Sequence, residues 1–301
     1  MTELRIALAQ TRQTADRQDN HRAILEAMDR AGEQDVRILC FPEAQTFGYR
    51  VDISEPTGTV PVAWLEDVHE DVAGRCARFG MACILGTEVR SEGGKPYNSA
   101  LVIGEDGCIQ GAHHKTMLTP LDAVAYEAGT GAHTFRLCGV TVGVVICFEG
   151  LRFAGTTAEC VRRGAQVVFH PQNNTTRPND WKIPLHHAMI VTRAAENTVW
   201  FASCNACLPH QNSRSLIVAP DGRIHAQTEL KREEVLVADI DVDRATRAMF
   251  RMGEQGPAAG ALEDSAGLLF ADTVKREEYA GALSEEDRRN GTDGSRVNEG
   301  G

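Results

Sequence analysis

The stretch VGVVICFEGLRF, residues 142–153, decides how this chain is read. Its first half is a run of β-branched and apolar residues, the pattern of a buried strand. The run stops at Cys147, and Glu149-Gly150 then turns the chain toward a helix. A strand–turn–helix of this kind exposes the side chain at the turn and aims the following backbone N–H groups at it. Such a setting can depress a thiol pKa and supply an oxyanion hole. A cysteine in an apolar strand is otherwise just a small buried hydrophobe, and no histidine partner stands in the surrounding sequence. Position rather than residue type makes Cys147 a candidate nucleophile.

Similar runs recur on both sides. LRIALAQ (4–10), VRILCFPE (36–43), MACILGTEV (81–89), AQVVFHP (165–171), TVWFASCNA (198–206) and EVLVADIDV (234–242) read as strands. Residues 18–32, 60–79, 156–164 and 182–196 read as helices. HTFRLCGVTVGVVICF gives two strands around Gly139, and Asp106-Gly107 and Asp221-Gly222 are hairpin turns between short strands. Strand–helix units mixed with hairpins predict an α/β protein with helices covering sheets. Residues 1–250 are expected to form one domain. Residues 251–283, rich in Gly, Ala and charge, read as an extension packed on a partner subunit or as a loose surface arm. Residues 284–301 lack apolar periodicity and read as a disordered tail.

Composition narrows the function classes. The 301 residues carry 31 Lys+Arg against 42 Asp+Glu, a net charge of −11, which disfavours a nucleic-acid surface and docking on anionic membranes. No apolar run approaches the ~20 residues that cross a bilayer, and the N-terminal segment has no secretory pattern. Nine cysteines lie mostly inside apolar runs, as buried thiols of a reducing compartment do. A soluble, cytoplasmic protein is expected. The pair Cys204/Cys207 lacks the second pair or spaced histidines of a zinc site, and adjacent histidines such as His113-His114 point in different directions, so no metal is expected.

Two further groups end predicted strands as Cys147 does. Glu43 follows an apolar strand and a Pro, at what would be the mouth of a pocket; the plainer alternatives are a first-turn helix acid or a solvated loop acid. Lys115, in GAHHKTML, reads alone as a solvated charge.

Taken together, FPE (41–43), YNSALVIGEDG (97–107), HHK (113–115), VGVVICFEGLRF (142–153), RRGAQVVFHP (162–171), RAAENTVWFASCN (193–205) and SLIVAPDG (215–222) resemble the nitrilase superfamily of carbon–nitrogen hydrolases, in the amidase/N-carbamoyl amidohydrolase-like branch. The likeness runs from about residue 4 to 243, with Lys115 72 residues after Glu43 and Cys147 32 after Lys115. It implies a four-layer α-β-β-α sandwich and a Glu-Lys-Cys triad that needs no metal or cofactor. Cys147 would attack an amide, carbamoyl or nitrile carbon. Glu43 would be the general base, and Lys115 would hold the oxyanion with the backbone N–H just after Cys147. The resemblance also implies a homodimer or higher homo-oligomer.

The chain departs from the family twice. Many members carry a second Glu between the Lys and an aromatic-x-Pro-Gly turn; here the turn is Tyr126-Glu127-Ala128-Gly129, and Asp122 is the nearest acid by spacing, with Glu127 the poorer candidate. Where the family often has aromatic-Pro-Glu after the Cys, this chain has Phe153-Ala154-Gly155, leaving Glu149 and Arg152 as a pair nearby. Phe148, His170, Gln172, Asn173 and Asn205 are the expected pocket residues, a polar set suited to a hydrogen-bonding substrate. The reading is a hydrolase of small-molecule amides or N-carbamoyl compounds. The alternatives are a nitrilase and a catalytically silent binding or assembly protein on the same fold.

Overall fold

Alternation along β1 (Glu3–Gln10) sets the architecture. Leu4, Ile6 and Leu8 point to one side of a sheet and Ala7 and Ala9 to the other, as the two-residue period of a strand requires. The computed structural model describes residues 2–50, 61–175 and 181–250. Within them β12 (Glu234–Asp241), β1, β2 (Ile38–Cys40), β3 (Ala82–Val89), β4 (Tyr97–Ile103) and β5 (Ile109–His114) form one sheet in that order. The second is β11 (Ile224–Gln227), β10 (Leu216–Val218), β9 (Trp200–Asn205), β8 (Val167–Gln172), β7 (Val140–Val144) and β6 (Thr134–Leu137).

Each sheet has a parallel centre, β1-β2-β3 in one and β7-β8-β9 in the other. Parallel neighbours need crossovers, and helices supply them. These are α1 (Arg17–Gly32) and α2 (Val62–Phe79) in the first half. A single turn, α3 (Asp122–Ala125), follows β5; then come α4 (Phe148–Arg152), α5 (Ala154–Arg162) and α6 (Lys182–Asn197) in the second half. The Asp16 carboxylate caps α1 by accepting from the Gln18 and Asp19 N–H groups. The helix then buries Ala23, Ile24, Ala27, Met28 and Ala31, the stripe its period predicts.

Three cores define the layers. Between the sheets, Ile6, Ile84 and Val102 meet Val142, Phe169 and Trp200. The other face of the first sheet, with Leu39, Cys83 and Leu85, packs under Met28, Val68 and Val72 of α1 and α2. The other face of the second, with Val168, Phe201 and Val218, packs under Val161, Ile190 and Ala194 of α5 and α6. The order is α-β-β-α, the expected four-layer sandwich.

Both Asp-Gly hairpins form, with Gly107 and Gly222 at φ 81° and 82°, where glycine has no steric cost. The structure differs from the sequence expectation at short elements. The strand expected over 36–43 has three residues, because Pro42 cannot donate to a ladder. The strand expected to reach Cys147 leaves the ladder after Val144. Helices α3 and α4, of four and five residues, are too short to show a helical period. The readings of residues 251–283 and 284–301 lie outside the described residues. No helix among the described residues is long and apolar enough to cross a membrane.

Candidate active site

Glu43 follows β2, Cys147 follows β7 and Asn173 follows β8. Lys115 follows β5, which is parallel to β3 because β4 is antiparallel to both. All four thus leave the carboxyl ends of parallel-running strands, where α/β sheets place their ligands. Glycine lets Glu43 reach this edge. A Cβ on Gly86 of β3 would lie 1.8 Å from the Pro42 carbonyl oxygen, so the Pro42–Ala44 backbone crosses β3 only where no side chain stands.

The structure brings Glu43, Lys115, Asp122 and Cys147 into one buried cluster. Lys115 Nζ donates to Glu43 Oε1 at 2.7 Å and lies 2.9 Å from Asp122 Oδ2. Asn98 Nδ2 donates to the same Glu43 oxygen at 2.7 Å, and the Asn173 N–H donates to Glu43 Oε2 at 3.0 Å. Gln13 Nε2 fixes the Glu43 carbonyl at 2.9 Å. The Cys147 thiol stands close enough to Glu43 and Lys115 for both charges to act on it. Asp122, the acid picked by spacing, accepts from the Tyr49 hydroxyl and, at 2.9 Å, from the Thr119 N–H. Glu127 is elsewhere: it is half-buried and its carboxylate lies over Gly93 in the β3–β4 connection.

Burial and charge set distinct protonation states. Burial pushes Glu43 above the usual carboxylate range, with Lys115 pulling it down and Asp122 pushing it up. Burial works against the Lys115 charge too, but Glu43, Cys147 and Asp122 outweigh it and the ammonium is held. Asp122 loses solvent, yet Lys115 and Tyr49 hold it below its ordinary value. Burial and the Glu43 charge push the Cys147 thiol well up, against Lys115 and the Asn173 N–H. At rest the site holds a protonated thiol beside a strained base.

Cys147 itself sits at φ 48°, ψ −107°, a conformation that costs a non-glycine residue about 1–3 kcal/mol. What holds it is underneath. His170 Nε2 contacts the Cys147 carbonyl at 2.8 Å and His170 Nδ1 contacts Ser203 Oγ at 2.9 Å. Burial lowers the His170 pKa to about 4, so the ring is neutral and donates from Nε2. A Cβ on Gly150 would meet that ring at 2.7 Å, so glycine there lets α4 close over it. The Phe148 N–H, first in α4, has no acceptor among the described residues.

A cavity of about 210 Å³ opens on Cys147, lined also by Tyr49, Thr119, Phe148, Leu151, Arg152, Asn173, Asn174, Thr175, Lys182, His186 and Asn212. Two of the five expected pocket residues, Phe148 and Asn173, are on this wall. His170, Gln172 and Asn205 are not. The strand period turns His170 and Gln172 to the helix-facing side of β8, where Gln172 Nε2 donates to Ser203 Oγ at 2.6 Å. Asn205 braces the loop from behind, its Oδ1 accepting from the Asn174 N–H at 2.8 Å and its Nδ2 donating to the Ser213 carbonyl at 2.8 Å. The expected Glu149–Arg152 pair does not form. Glu149 is fully buried and bonds to His113, at 2.9 Å, while Arg152 is exposed. A larger cavity, about 540 Å³, lies over His113, Met117, Glu149 and Phe153 and meets the smaller one at Arg152. Of the two, only the smaller is lined by Cys147.

Tyr49, Asn98 and Asn212 went unmarked in the sequence. A polar Asn98 opening an otherwise apolar strand was a usable signal; Tyr49 and Asn212 stand in loops whose composition carries none. Among the described residues, no group of three or more His, Cys, Asp or Glu is placed to hold a metal.

A sandwich of this topology, with a cysteine, a lysine and a carboxylate meeting at its strand ends, defines a class, and the comparisons agree. The carbon–nitrogen hydrolase family model matches residues 5–249, and the chain belongs to that family. Among relatives, the human omega-amidase NIT2 is 26% identical over 261 residues, covering 81% of this chain and 91% of that protein. A nitrilase of Pyrococcus abyssi is 28% identical over 225 residues, covering 70% of this chain and 79% of its own. A solved structure of an amidase from Nesterenkonia sp. AN1, in a variant with the acetamide moiety of fluoroacetamide covalently added at its active-site cysteine, superposes with a TM-score of 0.72 at 22% identity. That match covers 87% of this chain and 96% of the amidase. The similarity confirms the nitrilase-like fold and places the chain among enzymes that hydrolyse C–N bonds other than peptide bonds.

Proposed function

We propose that this enzyme hydrolyses small amides, including N-carbamoyl compounds, through a thioester on Cys147. The observation that carries the reading is the buried Glu43–Lys115 ion pair, whose charges act on the thiol of Cys147, the residue that lines the cavity. With the thiol held protonated, attack and proton transfer go together: Cys147 Sγ bonds to the carbonyl carbon as Glu43 takes the thiol proton. The oxyanion develops between Lys115 Nζ and the free Phe148 N–H, donors fixed before the substrate arrives. Glu43 then delivers the proton to the departing nitrogen, the C–N bond breaks and ammonia leaves. Water attacks the thioester, giving a proton to Glu43; the C–S bond breaks, the acid departs and the proton returns to sulfur.

Asp122 is assigned the place of the family's second Glu. Through Lys115 and Tyr49 it keeps the ammonium aimed at the oxyanion, a positioning role within reach of its shorter side chain. That relatives are named amidase and omega-amidase supports an amide rather than a nitrile as the substrate here. Nine free cysteines, six of them buried, support a cytoplasmic location. Exposed Leu121, just before α3, and Val124 within it support assembly at least as a homodimer, which light scattering would read.

The direct test is ammonia release from butyramide, its N-carbamoyl analogue and butyronitrile. Turnover of an amide or carbamoyl compound, lost in Cys147→Ala with the circular dichroism spectrum kept, is expected. Ammonia from the nitrile alone would make the chain a nitrilase. No turnover with a Cys147 inert to iodoacetamide would favour the silent binding protein.

A further inference from the structure

Both backbone polar groups of Cys147 are held by neighbouring residues of β8. The Cys147 N–H donates to the Pro171 carbonyl at 2.8 Å. The Cys147 carbonyl accepts from the Leu151 N–H at 3.1 Å and from His170 Nε2 at 2.8 Å. An apolar side chain at position 170 would leave this carbonyl satisfied by Leu151 and avoid the cost of a fully buried imidazole. Stability alone therefore does not account for the histidine.

Its ring is held in one tautomer and one orientation. Ser203 stands directly across the ladder on β9, with its Oγ 2.9 Å from Nδ1. Gln172 Nε2 donates to that same oxygen at 2.6 Å, which turns the Ser203 hydroxyl proton to Nδ1 and leaves the ring proton on Nε2. The Gln172 amide is oriented in turn, because its Oε1 accepts from Asn174 Nδ2. Phe201 packs against the imidazole, ring centroids 5.3 Å apart, and a Cβ on Gly150 would meet Nε2 at 2.8 Å. Four residues thus aim one N–H at one carbonyl.

The peptide that joins Cys147 to Phe148 is planar and trans, so its carbonyl and its N–H point in opposite directions. A bond that fixes the carbonyl oxygen fixes the aim of the Phe148 N–H, which has no acceptor among the described residues, at the wall of the catalytic cavity. The ψ of −107° at Cys147 sets this plane, and with φ at 48° it is a conformation the chain leaves unless it is held. We infer that His170 is a positioning residue of the reaction, holding the Cys147–Phe148 peptide plane so that the Phe148 N–H meets the oxyanion on the cavity side. This deepens the proposed amide hydrolysis and rests on it. His170 touches neither the substrate nor the reacting atoms; it acts through one peptide. An oxyanion donor counts only when it points where the charge develops, so a turned plane weakens the transition state and spares binding of the neutral amide.

The experiment uses the full chain, butyramide as substrate and butyraldehyde as a probe of the oxyanion site. Cys147 Sγ adds to the aldehyde carbon, the C=O π pair moves to oxygen and the thiol proton follows it. The resulting thiohemiacetal puts a tetrahedral oxygen where the oxyanion forms. In His170→Leu, kcat per folded enzyme is expected to fall about 10–10²-fold, less than loss of a whole oxyanion donor, and the aldehyde inhibition constant to rise by a similar factor. The dissociation constant of butyramide, measured by calorimetry in the Cys147→Ala background, stays within about twofold, as ground-state binding does not use the oxyanion donor. His170→Gln, which brings an amide donor, restores part of both. Gly150→Ala displaces the ring with His170 still present and is expected to give the same pattern, so the test stands even where His170→Leu does not fold. A lower Tm with an unchanged kcat would overturn the inference and leave His170 a packing residue. Equal weakening of the amide and the aldehyde would overturn it too, by showing a collapse of the whole cavity. No ammonia from butyramide and no aldehyde adduct in the unmodified enzyme would remove the amide reading itself, and this inference with it.

Discussion

Glu43 and Glu149 are both buried glutamates, three and five residues past a strand end, and their environments are opposite. Glu149 accepts from His113 Nε2, the Thr116 N–H and hydroxyl, the Met117 N–H and the Ile146 N–H. Burial alone would raise its pKa, but His113 and these donors take it down to about 2. Glu43 has a lysine, one side-chain amide and one backbone N–H, and a second carboxylate beside its lysine; its pKa goes up. The difference is one of vacancy. A carboxylate saturated by fixed donors is a strut, and here it ties the turn before Cys147 to the loop after Lys115. A carboxylate kept short of donors and next to a thiol is ready to take a proton.

That contrast can be broken by substitution. The largest effect belongs to the Glu43 cluster: Cys147→Ala abolishes turnover, and Glu43→Gln lowers kcat by about 10²–10⁴-fold, the span of general-base catalysis, with the folded structure kept in both. Steady-state ammonia release checks this, and a Glu43→Gln variant at near wild-type rate would remove Glu43 as the base. Next, Lys115→Met lowers kcat by about 10²–10³-fold, as removal of an oxyanion donor does, with KM moving less. Asp122→Asn has a smaller effect of the same kind, reversed in part by Asp122→Glu, because Asp122 acts through Lys115.

The pH dependence separates the two glutamates. Glu43 must be ionised to act and its pKa is raised, so kcat/KM falls as pH drops through a value above 4.5. Glu149 works on stability. Its folded pKa of about 2 is below the ordinary 4.5, so its contribution is complete above 4.5 and is lost as pH falls from there through about 2. A drop of that size corresponds to about 3 kcal/mol at neutral pH. Glu149→Gln is expected to lower Tm by about 6–12 °C at pH 7, and the penalty shrinks toward pH 3. A Tm loss that does not change with pH would show that Glu149 acts by packing and not by charge.

Most of this organisation is legible in the sequence, for reasons that also explain the misses. Glu43, Lys115 and Cys147 each end an apolar run, so their common edge follows once the strands are parallel. Asp122 follows from its spacing to Lys115, although the sequence says nothing of Tyr49, which reaches it from a loop 73 residues earlier. His170 and Gln172 stand near a strand end, which suggests a pocket wall, but the pleat of β8 turns both to the helix side. The sequence suggests Arg152 as a partner for Glu149, because the burial of Glu149 depends on donors from β5 and the loop after it, a contact no local pattern records. Short helices α3 and α4 left no period to read.

The measurement that tests the account most directly is the intact mass of the protein after incubation with fluoroacetamide, followed by peptide mapping. The account predicts one added acetamide moiety, located on Cys147, absent in Cys147→Ala, and formed much more slowly in Glu43→Gln because the thiol keeps its proton. An adduct spread over other cysteines, or one that forms at Cys147 equally fast without the Glu43 carboxylate, would contradict it.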